Sequence, residues 1–149
     1  MIKKLILIVA LFFTPYNAFS DFIDAKWKVV SFSGEAWFAD PRLTLGKTQE
    51  FNRGYAEGVF YSCNFAGQSA TYNVYTPEKF LANKEFEKFK KLNIKFDSNK
   101  IFVHRITCNG KKGSDRRLMY PFVTQDNSNK GYYLFEGAIY HLEYDYMKD

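Results

Sequence analysis

The chain has 149 residues, with 21 Lys and Arg against 16 Asp and Glu, which gives a formal charge of +5. Aromatic residues make up 19% of the sequence, whereas it contains only 2 Cys and 2 His. This composition is typical of one globular domain and excludes a disordered chain and a disulfide-dense miniprotein. It also argues against a metal site built from several Cys and His ligands.

Residues 1–20 predict a cleaved secretory signal peptide. Lys3 and Lys4 give a positive start, Leu5–Phe13 is an unbroken apolar run, and small residues stand at Ala18 and Ser20. The run is too short for a membrane-spanning helix, which needs about 20 apolar residues. We therefore expect cleavage to leave residues 21–149 as one domain in a bacterial periplasm or outside the cell, without a transmembrane anchor.

The charge of the mature chain is a mild excess of basic residues. The signal segment contains two Lys and no acid, so 19 basic residues face 16 acidic ones after cleavage, a net +3. Together with export, this small excess argues against a nucleic-acid partner.

Cys63 and Cys108 are the two cysteines, and both lie in the exported part. An even count in an oxidising compartment predicts one disulfide between them. The bridge would stabilise the fold by roughly 4 kcal/mol on the chain-entropy account. The sequence has no Cys-x-x-Cys motif, which argues against a thioredoxin-like redox site, and we predict no cofactor.

Alternating hydrophobicity predicts strands along most of the chain before residue 76. Gly58 lies inside one of them as a bulge position. The predicted strands are Lys26–Ser33, Glu35–Ala39, Arg42–Leu45, Gly54–Cys63 and Ala70–Tyr75.

Residues 77–92 predict one amphipathic helix. Thr76 can cap it, and Pro77 suits its first position, where a missing N–H costs nothing. Its polar face mixes Glu and Lys, whereas helices that lie on membranes are usually basic throughout, so we expect this helix to pack on the core. The apolar arc consists of Leu81, Ala82, Phe86, Phe89 and Leu92.

The C-terminal part predicts further strands. Ile94–Phe96 and Lys100–Cys108 are expected to form a hairpin, and Pro121 makes Leu118–Thr124 an edge strand. Gly131–Glu136 and Ala138–Asp145 form a final pair. The whole chain therefore predicts a mainly β fold, a curved antiparallel sheet or small β-barrel of about 8–10 short strands with one helix.

Both histidines are candidates for a functional role. His104 shares a strand face with Phe102, which favours a core position over a catalytic base, and the sequence contains no nucleophile motif such as Gly-x-Ser-x-Gly. Alternation also places Arg105 on the opposite face from His104. His141, Glu143 and Asp145 share one face of the last strand and form a weak metal-site candidate, with a solvated polar face as the alternative.

Two groups of residues are candidates for binding. Tyrosine offers a large contact area with a polar tip and is favoured at interfaces and in cavity walls, although it is also an ordinary strand residue. A basic loop could contact anionic headgroups or an acidic partner, with a solvated loop as the alternative. The candidates are Tyr132, Tyr133, Tyr140 and Tyr144, and Lys111, Lys112, Arg116 and Arg117.

Several segments together resemble the META-type domain of bacterial envelope proteins. The matching segments are Trp27-Lys28-Val29, Gly34, Leu43-Thr44-Leu45, Ser62-Cys63-Asn64-Phe65-Ala66-Gly67, Tyr72 and Ile106-Thr107-Cys108. The resemblance covers about two thirds of the mature chain, and one residue of the family pattern is missing between Asn64 and Phe65. It implies a secreted β-rich domain linked to envelope stress, without catalytic residues.

Two fainter resemblances imply other functions. Trp27 on a first strand is similar to lipocalins, which hold apolar ligands in a barrel, although Asp24-Ala25-Lys26 stands where lipocalins carry a Gly. Tyr61 and Cys63 are similar to the start of periplasmic lysozyme inhibitors, but a positively charged chain would repel a basic enzyme.

We therefore expect an exported, non-enzymatic protein that functions in binding or envelope maintenance. The alternatives are a lipocalin-like carrier of a small apolar ligand and a periplasmic protein–protein interaction module or inhibitor.

Overall fold

The computed structural model describes residues 25–37, 39–51, 55–60, 62–64, 71–105, 107–108, 116–117 and 122–145. Within these ranges, residues 55, 63–64, 71, 107–108 and 116–117 are described by their backbone alone. The predicted signal peptide and Pro121 lie outside the described residues, as do Lys111 and Lys112 of the basic loop.

Among the described residues, nine strands form one antiparallel sheet in the order β4-β3-β2-β1-β11-β10-β9-β6-β5. This confirms the predicted fold class. The strands are β1 (Ala25–Ser33), β2 (Thr48–Phe51), β3 (Tyr55–Gly58), β4 (Cys63–Asn64), β5 (Thr71–Tyr75), β6 (Ile101–Arg105), β9 (Phe122–Gln125), β10 (Lys130–Phe135) and β11 (Ala138–Asp145). A second, two-stranded sheet pairs β7 (Thr107–Cys108) with β8 (Arg116–Arg117).

The large sheet curls, and its concave face holds one aromatic core. Phe51 on β2 and Phe122 on β9 have three strands between them, so a flat sheet would hold them about 19 Å apart. Their ring centroids are 5.2 Å apart. Phe60 reaches Tyr133 on β10 in the same way, at 4.7 Å. The residues of this core are Ala25, Trp27, Val29, Phe51, Ala56, Phe60, Phe122, Tyr133, Ala138, Tyr140 and Leu142.

A helical layer covers the outer face over β6, β9, β10 and β11. It comprises α1 (Pro77–Ala82), a 3-10 turn (Lys84–Phe86) and α2 (Glu87–Lys91), and it buries Phe80, Phe86 and Phe89. The outer core also contains Ile94, Ile101, Val103, Val123, Tyr132 and Ile139. In the part of the chain that the structure describes, no helix is long and apolar enough to cross a membrane.

The predicted continuous helix over 77–92 is interrupted at Asn83. Thr76 caps α1 as predicted, since its hydroxyl accepts from Lys79 N. Asn83 has extended backbone angles, and its side chain accepts from Glu85 N at 3.0 Å. An asparagine that caps the following turn competes with continuation of the helix, so the chain restarts there.

The segment Arg42–Leu45 is not a strand, which corrects the prediction. Residues 41–44 form a 3-10 turn, because Pro41 stands at its first position and the Asp40 carboxylate accepts from Arg42 N at 2.9 Å. The described part of Glu35–Ala39 is not a strand either.

The predicted strand Gly54–Cys63 is two antiparallel strands, β3 and β4. Gly58 ends β3 with φ +152°, and a Cβ there would lie 2.4 Å from Thr48 O. The close approach of β2 therefore requires a glycine at this position and bends the chain away.

The predicted hairpin of Ile94–Phe96 with the following strand is also wrong. β6 pairs with β5 on one side and β9 on the other, so it has no free edge for Ile94. The side chain of Gln125 instead accepts from Asp97 N and Ser98 N, at 2.6 and 3.2 Å.

Two strand predictions at the C-terminal end have different outcomes. The prediction of an edge strand is wrong, since β9 lies between β6 and β10. The strand begins at Phe122, after the proline, so the proline does not belong to it. The final pair is confirmed, since β10 and β11 form a hairpin in which Glu136 and Gly137 both have positive φ. Such a two-residue turn matches the twist of the strands it joins.

Candidate functional site

His104 lies on the concave face and is 2% exposed. Its Nε2 atom is 2.8 Å from Thr124 Oγ1 on the neighbouring strand. Burial lowers the pKa of His104 to about 3, so the imidazole is neutral at neutral pH. Arg105 points to the other face, as alternation predicts, and donates to both Glu85 carboxylate oxygens at 2.8 Å. The structure thus gives His104 and Arg105 no shared site.

His141, Glu143 and Asp145 are not brought together as metal ligands. Among the described residues, no three His, Cys, Asp or Glu side chains form a group that could hold a metal ion. His141 Nε2 lies 2.9 Å from Ser33 Oγ, and burial lowers the pKa of the imidazole. Glu143 stands opposite a lysine on each neighbouring strand, so the strand's outer face carries a ladder of opposite charges.

The four candidate tyrosines are core residues or pack against the core. Tyr133 and Tyr140 belong to the concave core, and Tyr132 lies in the outer core, where its hydroxyl donates to Lys95 O at 3.1 Å. Tyr144 packs edge-on against Trp27 at 5.4 Å. The tyrosines therefore do not form an exposed aromatic surface through which a partner could bind.

The remaining predicted sites lie largely outside the described side chains. Of the basic loop, the backbone of Arg116 and Arg117 is described and pairs with β7. Cys63 and Cys108 lie on β4 and β7, but their side chains are outside the described residues. The disulfide therefore stays a prediction.

The sequence analysis did not identify the connection between β1 and β2, residues 34–47, as a candidate binding site. Trp37 in this β1–β2 connection is 71% exposed, and Leu43 is 66% exposed. Leu45 and Val30, a residue at the β1 bulge, are also exposed. The described chain exposes only one other large hydrophobic residue, Val74. The available signal was Trp37 followed by a turn-forming Asp-Pro pair, which places a large apolar residue beside a loop.

Hydrogen bonds hold both ends of this connection in place. Trp37 N donates to Glu136 O at 2.9 Å, and Gly46 N donates to Val29 O at 2.9 Å. The indole of Trp37 lies against Gly137, where a Cβ would be 2.7 Å from Trp37 Nε1. The β10–β11 turn thus supports an indole that is otherwise open to solvent.

Two acidic residues belong to the same two segments, Asp40 to the β1–β2 connection and Glu136 to the β10–β11 turn. A side-chain hydrogen bond from Arg42 lowers the pKa of Asp40, and Arg42 Nε contacts both of its carboxylate oxygens. Burial raises the pKa of Tyr140, and the charges of Glu136 and Asp40 raise it further. Charged side chains therefore accompany the exposed Trp37 in these two segments.

The indole N–H of Trp27 is a buried polar group in the concave core. The side chain is 5% exposed, and its benzo ring packs over Gly131. Trp27 Nε1 has no acceptor among the described residues. A buried N–H without a partner costs roughly 1–3 kcal/mol, which points to an acceptor from outside the described chain.

Comparisons with protein-family models, with curated proteins and with solved structures gave no match.

Proposed function

We propose that the chain is an exported, non-enzymatic binding protein and that it contacts a partner protein through the β1–β2 connection. The observation that carries this proposal is the exposed Trp37, held over Gly137. Tryptophan is enriched among the residues that contribute most to binding energy at protein interfaces.

The exposed apolar residues of the described chain are concentrated at this connection. Trp37, Leu43 and Leu45 belong to it, and Val30 lies beside it on β1. The hydrogen bonds of Trp37 N and Gly46 N order the connection before any partner binds. A preordered apolar contact loses less conformational entropy on binding, which supports an interaction surface over a simple loop.

The chemistry of the histidines supports a non-enzymatic role. A general base works best when its pKa lies near the working pH, whereas burial lowers that of His104 to about 3. His141 is bonded to Ser33 and is also shifted away from protonation by burial.

Export and a Cys63–Cys108 disulfide belong to the same proposal. A protein that acts in an envelope or outside the cell meets its partner in an oxidising compartment. A denaturing mass spectrum of protein recovered from the periplasm tests both, because cleavage sets the N-terminal mass and the disulfide lowers the mass by about 2 Da. A full-length mass or two free thiols would contradict this part.

Site-specific photo-crosslinking tests the proposed contact surface. A photoreactive phenylalanine analogue replaces Trp37 in one variant and Val74 in the control, since Val74 is exposed on β5 and distant in sequence from the connection. We expect a discrete protein adduct from position 37 and none from position 74. Adducts of equal yield at both positions, or none at all, would contradict the proposal.

A quantitative step follows once the adduct is identified. The purified partner should lose about 30-fold or more in affinity for Trp37→Ala, because the most important interface residues contribute about 2 kcal/mol or more. Val74→Ala should leave the affinity unchanged.

A carrier of a small, mainly apolar ligand is the second candidate, and Trp27 Nε1 favours it because the described residues offer this atom no acceptor. Such a ligand would need one hydrogen-bond acceptor facing the indole. Against it, the described concave face is packed ring against ring, with Phe60 at 4.8 Å from Tyr140 and Trp27 at 5.3 Å from Phe122. A native mass spectrum with a small-molecule adduct that is lost in Trp27→Phe would favour the carrier over the interaction module.

A further inference from the structure

The charges of the described chain are unevenly distributed, and its basic excess lies on the covering layer. The covering layer, residues 77–100, together with Arg105 and Lys130, which form ion pairs with it, carries nine basic and four acidic side chains, a net +5. The other described side chains include four basic and eight acidic ones, a net −4. The small net charge of the whole chain therefore conceals a strongly basic layer on one side.

Three of the four acidic side chains of the layer form ion pairs with its basic side chains. Glu85 pairs with Arg105, Glu87 with Lys91, and Asp97 with Lys130. Six lysines have no ion-pair partner among the described residues, and Glu78 is the remaining acid of the layer. These lysines are Lys79, Lys84, Lys88, Lys90, Lys95 and Lys100. The sequence predicts a polar face on which Glu and Lys balance each other. The ion pairs of the structure neutralise less of the positive charge than this mixture implies.

The layer offers charge without an exposed apolar anchor. Its phenylalanines face the sheet, and none of the exposed large hydrophobic residues of the described chain belongs to residues 77–100. Protein interfaces usually have an apolar centre and are depleted in lysine. Flexible, dispersed lysines instead suit a diffuse layer of negative charge, such as lipid headgroups.

We propose that the covering layer binds the anionic headgroup surface of a membrane. The layer carries +5 and the other described side chains carry a net −4, so electrostatic attraction favours an approach in which the layer faces the lipid. The binding is electrostatic and peripheral, since the apolar side of the layer is already buried against the sheet. The layer adjoins the β1–β2 connection, where Leu92 packs against Gly34. The vesicle test uses lipid without any partner protein, so it is independent of the proposed partner contact.

Vesicle co-sedimentation of the full protein tests the proposal. The probes are phosphatidylcholine vesicles with and without one third phosphatidylglycerol, at low salt and at about 0.5 M NaCl, where the Debye length shrinks to a few ångströms. We expect binding only to the anionic vesicles and its loss at high salt. Lys84→Gln, Lys90→Gln and Lys95→Gln combined should weaken it about a hundredfold, since each basic residue contributes about fivefold near such a surface.

The matched control neutralises three lysines outside the layer, Lys26, Lys28 and Lys47, and thus makes the same change in net charge. It should bind nearly as well as the unchanged protein, and far-UV circular dichroism verifies that both variants fold. Equal losses in the two variants, or no preference for anionic vesicles, would overturn the proposal. Salt-sensitive oligomers formed without lipid would overturn it too, since acidic residues of a second copy would then be the ligand.

Discussion

The His104 imidazole illustrates how a buried titratable residue links pH to stability. An unfolded histidine has a pKa of about 6.5, whereas burial lowers that of His104 to about 3 in the folded protein. Between these values the unfolded chain binds the proton and the folded chain does not. Stability is therefore fully present above pH 6.5 and falls as the pH drops toward 3, by at most about 1.4 kcal/mol per unit.

Urea unfolding of wild type and His104→Gln at pH 7 and pH 5 measures this contribution. We expect the loss of unfolding free energy between the two pH values to shrink by about 2 kcal/mol in the variant, because the glutamine does not titrate. His141→Gln is the control and should show a smaller change, since His141 is only half-buried. An unchanged pH dependence in His104→Gln would show that the imidazole takes up a proton without unfolding.

Gly137 lies against the Trp37 indole, so replacing this glycine adds backbone strain and also displaces the indole. Gly46 serves as a control in which only the backbone strain applies. Both Gly137 and Gly46 have positive φ, +92° and +76°, but a Cβ at Gly46 would meet nothing within 4 Å. Gly46→Ala should cost about 1 kcal/mol in unfolding free energy from backbone strain alone. Gly137→Ala should cost more and should also change the emission of Trp37, which has to move. Equal costs and unchanged emission would show that the indole does not depend on Gly137.

The residues of the candidate site were only partly predictable from the sequence. Strand alternation placed His104 and Arg105 on opposite faces, because a period of two depends only on backbone geometry. It could not show that Tyr132 and Tyr133 are both buried, since that requires a covered outer face as well as a concave core. The position of the Trp37 indole depends on a contact with Gly137, about one hundred residues later, which local patterns do not encode.

Two adjacent residues in the 3-10 turn of the helical layer contribute to it in different ways. Phe86 is fully buried and stacks on Phe80 with ring centroids 4.2 Å apart. Glu85 forms its ion pair with Arg105 at a partly exposed position. Phe86→Ala should lower the unfolding free energy by about 3–5 kcal/mol because it leaves a cavity, whereas Glu85→Gln should cost about 1 kcal/mol or less.

Urea unfolding of the two variants at one pH provides the comparison. Equal losses would contradict the assignment of the stabilising role to the stacked rings. A much larger loss from Glu85→Gln would show that the ion pair, and not the aromatic cluster, attaches the layer to β6.

The elements were predictable where local chemistry determines them. Thr76 and Pro77 fixed the start of α1, and the glycine in the β10–β11 turn fixed the hairpin. The errors arose where a distant partner decides the outcome. Ile94–Phe96 lacks a ladder because β5 and β9 already occupy both edges of β6, and the sequence around residue 94 contains no sign of them.

The curl of the sheet is a property of the whole molecule. β4 and β5 lie at opposite ends of the sheet order, although only six residues separate them in sequence. A connection of that length reaches about 25 Å, whereas eight strand spacings of a flat sheet would require about 38 Å. The chain can join these strands only if the sheet is strongly curved, which also explains why the concave face contains one continuous aromatic core.

The two cores should unfold together because they share strands. Phe122 and Tyr133 belong to the concave core, while their neighbours Val123 and Tyr132 belong to the outer one. In a Trp37→Phe background, Trp27 emission reports the concave core and far-UV circular dichroism reports the backbone. We expect one transition with coincident midpoints, shifted equally in both signals by Phe86→Ala, because a strand cannot lose one face and keep the other. If circular dichroism changed at lower urea than Trp27 emission, the helical layer would be a separate unfolding unit attached to a self-sufficient sheet.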